Sequence, residues 1–342
     1  MSNYPFKNLV FRGGGILGIA YLGALKVLDS DEYNILSQIE RVSGASAGAI
    51  TALVVSMCKN SDEIKEITDT LDFSKVPDKR GKEIEEKHKL MADFLNIEID
   101  DLFCVYRLIH HYGWFSSAYF YDWLKQTINN QFQKHTGLDK GGLQTFADFK
   151  AAGFRDIYVS VTNVSKHKNE IFSFENKPDM PVANAVRMSM SIPLYFNTVK
   201  YENDYYADGG TVNNYPMEVF DNSKFVNSKN NFTNGINWET LGCHLFTPKN
   251  TKPEKKQKDN LIHYIEDVFL SLLQVQTIEF EKTPNLKARS ANISDLGISA
   301  IDFKIKKGDK KYQELYKSGY LGMKNYLKNY SPKEIQKTKV MQ

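Results

Sequence analysis

The amino-acid sequence predicts an α/β fold built on a parallel sheet. In the first sixty residues, a short apolar run, a tight turn of small residues and a segment of helix length follow one another twice. Repeated strand–helix units of this kind place their strands side by side in one parallel sheet. The chain has 342 residues, 42% hydrophobic and 25% charged, so it can bury a sizeable core in one large or two modest domains.

The first two units can be assigned from their residue patterns. The run NLVF, residues 8–11, predicts a buried strand because it is short, largely apolar and stops at three glycines. Residues 15–30 follow with the length and composition of a buried helix. Residues 39–44, IERVSG, predict the second strand, and residues 47–60 predict the second helix.

The rest of the chain continues as a mixture of strands and helices. Residues 61–98 are charged and mostly helical in pattern, and residues 99–124 are dense in aromatic side chains. Further strands are predicted at 155–164, 170–174, 204–210 and 298–305, and further helices at 181–191, 260–280 and 311–328. Residues 222–258, rich in Asn and Lys, predict a polar surface excursion, and their basic run 252–258 is interpreted as a solvated loop.

The predicted helix at 260–280 is amphipathic and is interpreted as part of the core rather than as a membrane anchor. The apolar stripe consists of Leu261, Ile265, Val268, Leu272 and Val275.

The composition argues against several classes of protein. A formal net charge of +3 gives no indication of a nucleic-acid partner. The three cysteines, Cys58, Cys104 and Cys243, form no C-x-x-C pair, so we predict no disulfide framework and no thiolate zinc site. We also expect no other metal and no cofactor. The first residues lack a secretory signal, and no apolar stretch approaches the roughly 18–20 residues that span a bilayer. We expect a cytoplasmic protein, peripheral on membranes at most, while export without a cleaved signal stays open.

The segment GASAG, residues 44–48, predicts a nucleophilic serine. A serine on a sharp strand-to-helix turn has an exposed hydroxyl, and its neighbours must be small because the strand and helix nearly touch. Gly44, Ala45, Ala47 and Gly48 meet that requirement around Ser46. The alternative is a turn of small residues without chemistry.

The glycine-rich loop 13–18, GGGILG, fits two functions. It matches a dinucleotide-binding pattern, for which Asp31 or Glu32 would bind the ribose, but these acids lie in a polar turn and not at a strand end. It also suits an oxyanion hole, because glycines let backbone N–H groups approach a developing negative charge. We favour the oxyanion hole, and we expect Gly18 and Gly23 to be required by close helix–strand packing.

Two kinds of base could take the proton of Ser46. His244 and His263 follow Ser46 and Asp208 in the chain order of the α/β-hydrolase triad, but they lie in an apolar strand-like stretch and on a helix. Asp208 ends an aromatic strand before two glycines, and burial there would raise its low pKa toward that of a useful base. We favour Asp208, with a turn-capping aspartate as the alternative.

Together these segments resemble the patatin-like phospholipases. The resemblance rests on FRGGGILGIAYLGAL (11–25), GASAG (44–48), RMSMSIPLYF (187–196) and DGGTVNNYP (208–216). Their order and spacing agree with the family from about residue 6 to 218, and more faintly to 328.

The resemblance implies a three-layer α/β/α fold in a single domain over 6–328, followed by a C-terminal tail at 329–342. It also implies a serine acyl-ester hydrolase that acts without calcium on phospholipids or lysophospholipids at a membrane surface, through an acyl-enzyme. Ser46 would be the nucleophile and Asp208 the general base. The oxyanion amides would come from Gly13, Gly14 and Gly15, and the remaining motif glycines are Gly18, Gly44, Gly48, Gly209 and Gly210.

One position departs from the family. The family commonly has Arg or Lys two positions after the glycine triplet, where this chain has Leu17, and the nearest basic residue is Arg12. The aromatic stretch at 99–124 could line an acyl-chain groove, form a lid or belong to the core. An acyltransferase, a non-catalytic lipid-binding protein, an activator and a homo-oligomer also stay open, as do the head group and the sn-position.

Overall fold

The centre of the molecule is a sheet that is eight-stranded within residues 4–79, 99–248 and 261–331, the ranges described by the computed structural model. The strands are β1 (Asn8–Phe11), β2 (Arg41–Ala45), β3 (Gly113–Phe115), β4 (Asp156–Asn163), β5 (Lys168–Phe172), β6 (Leu194–Phe196), β7 (Val199–Tyr201), β8 (Asp204–Asp208), β9 (Phe232–Thr233), β10 (Ile236–Asn237), β11 (Thr240–Phe246) and β12 (Ser290–Ser294). Hydrogen-bonded neighbours in the main sheet follow the order β12–β11–β1–β2–β4–β8–β7, and β5 also pairs with β4.

Most of the sheet is parallel. Strands β12, β11, β1, β2 and β4 run in one direction, while β5, β7 and β8 form an antiparallel part beside β4. The predicted α/β class with a central, mostly parallel sheet is therefore confirmed. The parallel strands bring their carboxyl ends to one edge, where ligands of open α/β sheets bind.

Helices flank this sheet. They are α1 (Ile19–Leu28), α2 (Ala47–Met57), α3 (Ser61–Thr68), α4 (Ile99–His111), α5 (Ala118–Thr136), α6 (Phe146–Ala151), α7 (Val182–Ser189), α8 (Leu261–Glu281), α9 (Pro284–Ala288) and α10 (Lys310–Asn329). Pro181 precedes α7 as its N-cap, which agrees with the predicted helix start.

The two faces of the sheet are covered differently. Side chains alternate along β1, so Leu9 and Phe11 join the large core with α1, α2 and α10, whereas Val10 joins a smaller cluster on the other face. That smaller cluster packs under short 3₁₀ segments at 217–225 and under α9. The result is a helical layer, a sheet and a thinner layer of short segments.

The predictions for two segments, a surface excursion and a strand, are corrected. The surface excursion at 222–258 contains β11, a buried strand between β1 and β12, because its alternating Leu241, Cys243 and Leu245 are apolar and fully enclosed. Residues 249–258, including the basic run, lie outside the described residues. The strand predicted at 298–305 is absent. That apolar run forms turns beside the site, and the sheet instead takes β12.

The prediction for α8 was only partly right. The helix is present, but of the predicted stripe only Ile265 is buried, and the other four residues are exposed. Its inner side is a different one, which includes Phe269 and Leu273. Within the described ranges, no helix has both the length and the apolar character needed to cross a bilayer.

Candidate active site

Ser46 occupies the turn between β2 and α2. Its φ of 52° and ψ of −127° lie in a region that L side chains rarely adopt, as expected for a serine presented on a sharp strand-to-helix turn. A Cβ on Gly48 would lie 2.2 Å from the carbonyl oxygen of Phe11, and one on Gly44 would lie 2.3 Å from the backbone of Gly48. The close approach predicted for this turn is present, and it requires glycine at both positions.

Ser189 holds the backbone of this turn. The Ser46 N–H donates to Ser189 Oγ at 2.9 Å, and that hydroxyl donates to the carbonyl oxygen of Ser160 at 2.6 Å. Ser189 is fully buried at the end of α7. The amide of Ser46 is therefore occupied. Sequence reasoning missed Ser189 because neither serine of RMSMS matches a recognised pattern.

The pairing of β4 explains why Ser46 and Asp208 meet. Strand β5 occupies one edge of the carboxyl half of β4, so β2 and β8 must share the other edge. Strand β2 ends at Ala45 opposite Ser160, while β8 runs the other way and ends at Asp208 opposite Val161. The two strands therefore approach each other end to end, and Ser46 directly faces the residue that closes β8.

Asp208 is a buried carboxylate with an unusual pKa. Its side chain is 0% exposed, and its Oδ1 accepts a hydrogen bond from the N–H of Gly210 at 2.7 Å. Burial raises the pKa to about 7, although the Ser46 hydroxyl and the Gly210 amide each act to lower it. Within the described residues, Oδ2 has no hydrogen-bond partner, although the Ser46 hydroxyl lies close enough to the carboxylate to lower its pKa. Hydrogen bonds between catalytic groups are often long before substrate binds.

The glycine loop offers two amides rather than three. The Gly13 N–H donates to the carbonyl oxygen of Asn214 at 3.0 Å, which contradicts the prediction that Gly13 supplies an oxyanion amide. Within the described residues, the N–H groups of Gly14 and Gly15 form no hydrogen bond, and both glycines line the cavity at Ser46. Gly15 has a φ of 55°, and a Cβ there would lie 1.9 Å from the carbonyl oxygen of Ala300.

The other motif glycines have separate roles. A Cβ on Gly209 would lie 2.2 Å from the carbonyl oxygen of Ser160, and one on Gly210 would lie 2.6 Å from Asn214 Oδ1. Gly18 has room, since its nearest neighbour would be 3.6 Å away, so the predicted packing constraint there is wrong. At Gly23 there is no room for a side chain, as predicted, but the space is closed by helix α10 and not by a strand.

The comparison with protein families identifies the chain. The model of the patatin-like phospholipase family matches residues 9–221, well over half of the sequence. The chain belongs to the patatin-like phospholipase family.

Two viral proteins are similar to this chain in sequence. The chain is 29% identical over 221 residues to uncharacterized protein R571 of Acanthamoeba polyphaga mimivirus, covering 65% of this chain and 63% of that protein. It is 27% identical over 225 residues to the probable lipid hydrolase 463L of Invertebrate iridescent virus 6, covering 66% of each. The matches thus span slightly less than two thirds of the length of these relatives.

The fold also has a solved counterpart. The crystal structure of VipD from Legionella pneumophila aligns with a TM-score of 0.56 over 96% of this chain and 68% of that one, at 17% identity. This likeness supports the fold alone.

His244 is not placed to serve Ser46 in this patatin-like site. The imidazole stacks on Phe280 with ring centroids 3.6 Å apart, and its Nε2 lies 3.4 Å from Arg12 Nη1. Burial and the neighbouring guanidinium lower the pKa of His244 to about 3. His263 lies on α8 beside a neighbouring cleft with Phe303.

Asp31 and Glu32 lie in the turn after α1, at the opposite edge of the sheet, which removes the basis for a dinucleotide site.

A small apolar cavity opens at Ser46. Its volume is about 20 Å³, little more than a water molecule needs. Helix α8 forms one wall, and none of the aromatic candidates from 99–124 contributes to the lining. The apolar lining residues are Ile192, Tyr195, Phe269, Leu270, Leu273, Ala300 and Ile301.

Gln276 and Asn214 join α8 to both site loops. Gln276 Oε1 accepts from the Asn214 N–H at 2.7 Å, and Gln276 Nε2 donates to the carbonyl oxygen of Gly210 at 2.8 Å. Asn214 Nδ2 in turn donates to the carbonyl oxygen of Gly13 at 3.1 Å. Sequence reasoning missed both residues, although Asn214 belongs to the quoted segment DGGTVNNYP.

Arg12 does not take the place of the basic residue that the family commonly has at the position of Leu17. Its buried guanidinium donates to the carbonyl oxygen of Leu273 at 3.3 Å and to Thr277 Oγ1, both on α8, and burial lowers its pKa. Leu17 is itself buried. The charge of Arg12 is therefore engaged in fastening α8 beside the glycine loop.

Proposed function

We propose that this protein is a lipid acyl hydrolase that cleaves acyl esters of phospholipids or lysophospholipids through Ser46 and Asp208. The observation that carries the proposal is the strained serine facing a buried carboxylate with a pKa near 7. A base with such a pKa is substantially ionised near neutral pH and still accepts a proton well. Family membership, and similarity to a probable lipid hydrolase, favour a lipid ester as the substrate.

In the acylation step, Asp208 takes the hydroxyl proton of Ser46 while Ser46 Oγ bonds to the ester carbonyl carbon. The carbonyl oxygen becomes an oxyanion that receives hydrogen bonds from the amides of Gly14 and Gly15. Collapse of this intermediate breaks the ester C–O bond, and the leaving alcohol takes the proton from Asp208.

Deacylation repeats these steps with water. Asp208 removes a proton from a water molecule that attacks the acyl carbon, and the same two amides stabilise the second oxyanion. Ser46 Oγ then leaves with the proton held by Asp208, which frees a fatty acid. The proposed steps use no metal ion.

The proposal is tested by digesting a panel of chain-matched lipids with pure protein and measuring released fatty acid by mass spectrometry. We expect hydrolysis in the presence of EDTA, and a loss of about 10³-fold or more in kcat for both Ser46→Ala and Asp208→Asn, because each removes one partner of the proton transfer.

Exposed positions supply the matched controls. Ser37→Ala and Asp31→Asn make the same chemical changes in the connection between α1 and β2 and should retain full activity. Full activity of the Ser46→Ala protein, or absence of fatty acid release from every lipid by the unmodified chain, would refute the proposal.

A further inference from the structure

The outer side of α8 carries a continuous apolar stripe that no other part of the described chain covers. Its members are spaced three or four residues apart along one side of the helix, and each is 41–68% exposed. They are Leu261, Tyr264, Val268, Leu272, Val275 and Ile278. At 1.5 Å per residue, this outer stripe is about 25 Å long. Such a run of exposed apolar side chains marks an interaction surface.

The same helix lies over the active site. Its inner side contributes Phe269, Leu270 and Leu273 to the cavity at Ser46, and Gln276 bonds to the aspartate loop. These contacts place α8 across the carboxyl edge of the parallel strands. Since the outer stripe is on the opposite side of the helix, it faces away from the molecule at that edge.

Apolar exposure continues on both sides of α8. The 3₁₀ turn Gly209–Thr211 and strand β6 both pack against α8. Val212 directly follows that turn, and Leu194 is the first residue of β6. Val212 and Leu194 are themselves nearly half exposed. The surface around the site is therefore apolar beyond the helix itself.

We propose that the outer stripe of α8 docks the protein on a lipid surface, with the active-site edge facing the lipid. This inference rests on the proposed function, because long-chain lipid esters are presented in aggregates and the cavity for them lies directly beneath this helix. An amphipathic helix binds such a surface by burying its apolar side in the plane of the interface.

The chemistry of the stripe favours lipid over a protein partner. One row of side chains along a single helix is narrow for a standard protein interface, which buries about 800 Å² per partner. No stripe member is charged. Within the described residues 261–288, the exposed charges at the C-terminal end of the stripe are balanced, with Glu279 and Glu281 beside Lys282 and Lys287, and Asp267 is partly exposed. The stripe therefore suits a zwitterionic lipid surface, held by apolar burial rather than by charge.

The size of the cavity adds a consequence. The space of about 20 Å³ at Ser46 is smaller than an acyl chain, but a cleft of about 790 Å³ adjoins it across Gly14, Leu270 and Leu273. A shift of α8, which carries both leucines, would join the two spaces. Docking of the outer stripe would favour the shifted state of α8 by interacting with it preferentially. Hydrolysis of an ester in vesicles should then exceed hydrolysis of a soluble ester.

The test is cosedimentation with phosphatidylcholine vesicles, using full-length protein carrying Ser46→Ala so that the vesicles stay intact. We expect Leu272→Asp and Val275→Asp each to weaken binding about ten-fold or more, because each places a charge where an apolar side chain is buried. Gln274→Asp, on the same helix but outside the stripe, is the matched control and should bind within about two-fold of the parent.

A second measurement separates docking from folding and chemistry. With Ser46 restored, the stripe variants should hydrolyse the soluble ester p-nitrophenyl butyrate at the parent rate. The proposal would be overturned if the stripe variants bound vesicles as tightly as the parent. It would also be overturned if sedimentation equilibrium showed a dimer of the parent that the substitutions abolished while vesicle binding persisted. Because cosedimentation measures no hydrolysis, failure of the proposed activity would be visible separately.

Discussion

At the residue scale, Asp208 connects the fold to the chemistry. Its carboxylate is completely buried between β4 and the turn that follows β8. Among the described residues, the Gly210 amide and the Ser46 hydroxyl are the groups that stabilise its charge. Burial dominates and raises the pKa to about 7. The protein thereby keeps a costly buried charge above neutral pH, which is the condition under which Asp208 can act as a base.

We therefore expect Asp208→Asn to stabilise the protein as the pH rises. Folding raises the pKa of Asp208 from its ordinary value near 4 to about 7, so this group contributes stability that is fully present below pH 4 and is lost as pH rises through 7. Asparagine does not ionise. The free energy of unfolding of Asp208→Asn relative to the parent should thus increase by about 3 kcal/mol between pH 5 and pH 8.

Urea unfolding at the two pH values measures this difference. Asp31→Asn, in the exposed turn after α1, makes the same change in net charge and serves as the control. If the Asp208→Asn difference stays constant between pH 5 and pH 8, the buried carboxylate does not have the raised pKa.

Local sequence patterns were sufficient to single out Ser46 and Asp208 as candidates, because Ser46 follows a strand and Asp208 ends one, each beside small residues. They were not sufficient for Gly13. Its N–H is taken by the carbonyl oxygen of Asn214, about two hundred positions later in the chain, and no local pattern reports such a bond. The hydrogen bond that Ser189 accepts from the Ser46 N–H could not be predicted for the same reason.

At the element scale, α8 organises the site although it lies outside residues 9–221, where the family model matches. Gln276 bonds to the loop that follows Asp208, and Arg12 bonds to α8 from the start of the glycine loop. The helix thus fixes the two loops relative to each other, and we regard Gln276 as a positioning residue.

Replacing Gln276 should slow the chemistry more than it weakens binding. Gln276→Leu leaves the buried N–H of Asn214 and the carbonyl oxygen of Gly210 without partners, which costs about 1–3 kcal/mol per group. We expect a fall in kcat of about ten-fold or more for p-nitrophenyl butyrate, with KM changed by less than about two-fold.

Gln276→Glu keeps the acceptor for Asn214 but loses the donor to Gly210, so its kcat should lie between those of Gln276→Leu and the parent. Gln274→Leu, exposed two positions earlier, is the matched control. A purely structural role would instead lower the amount of folded protein and leave kcat per folded molecule unchanged.

The elements that sequence analysis misassigned share a physical cause. The stretch of β11 around His244 was recognised as strand-like, but it was assigned to a polar surface excursion because Asn- and Lys-rich segments surround it. Its burial depends on its neighbours β1 and β12. Residues 298–305 are apolar enough for a strand, but they pack beside the cavity through Ala300 and Ile301 rather than in the sheet. In both cases tertiary packing, and not local propensity, decided the structure.

At the scale of the whole molecule, the sheet depends on strands from both ends of the sequence. Strand β1 pairs with β2 on one edge and with β11 on the other, and α10 packs against α1 through close contacts at Gly23 and Gly319. We propose that residues 6–328 form one domain that extends past the family match, with a tail from 329. The first two strand–helix units were readable from periodicity, whereas the end-to-end meeting of β2 and β8 needed the sheet register.

The proximity of Ser46 and Asp208 is tested most directly by labelling the full chain with a fluorophosphonate between pH 5 and pH 9 and locating the adduct by mass spectrometry. We predict one adduct, on Ser46, with a labelling rate that rises through about pH 7 as Asp208 ionises, and about a hundred-fold slower labelling of Asp208→Asn. Equal labelling rates in the parent and in Asp208→Asn, or an adduct on a different serine, would contradict the account.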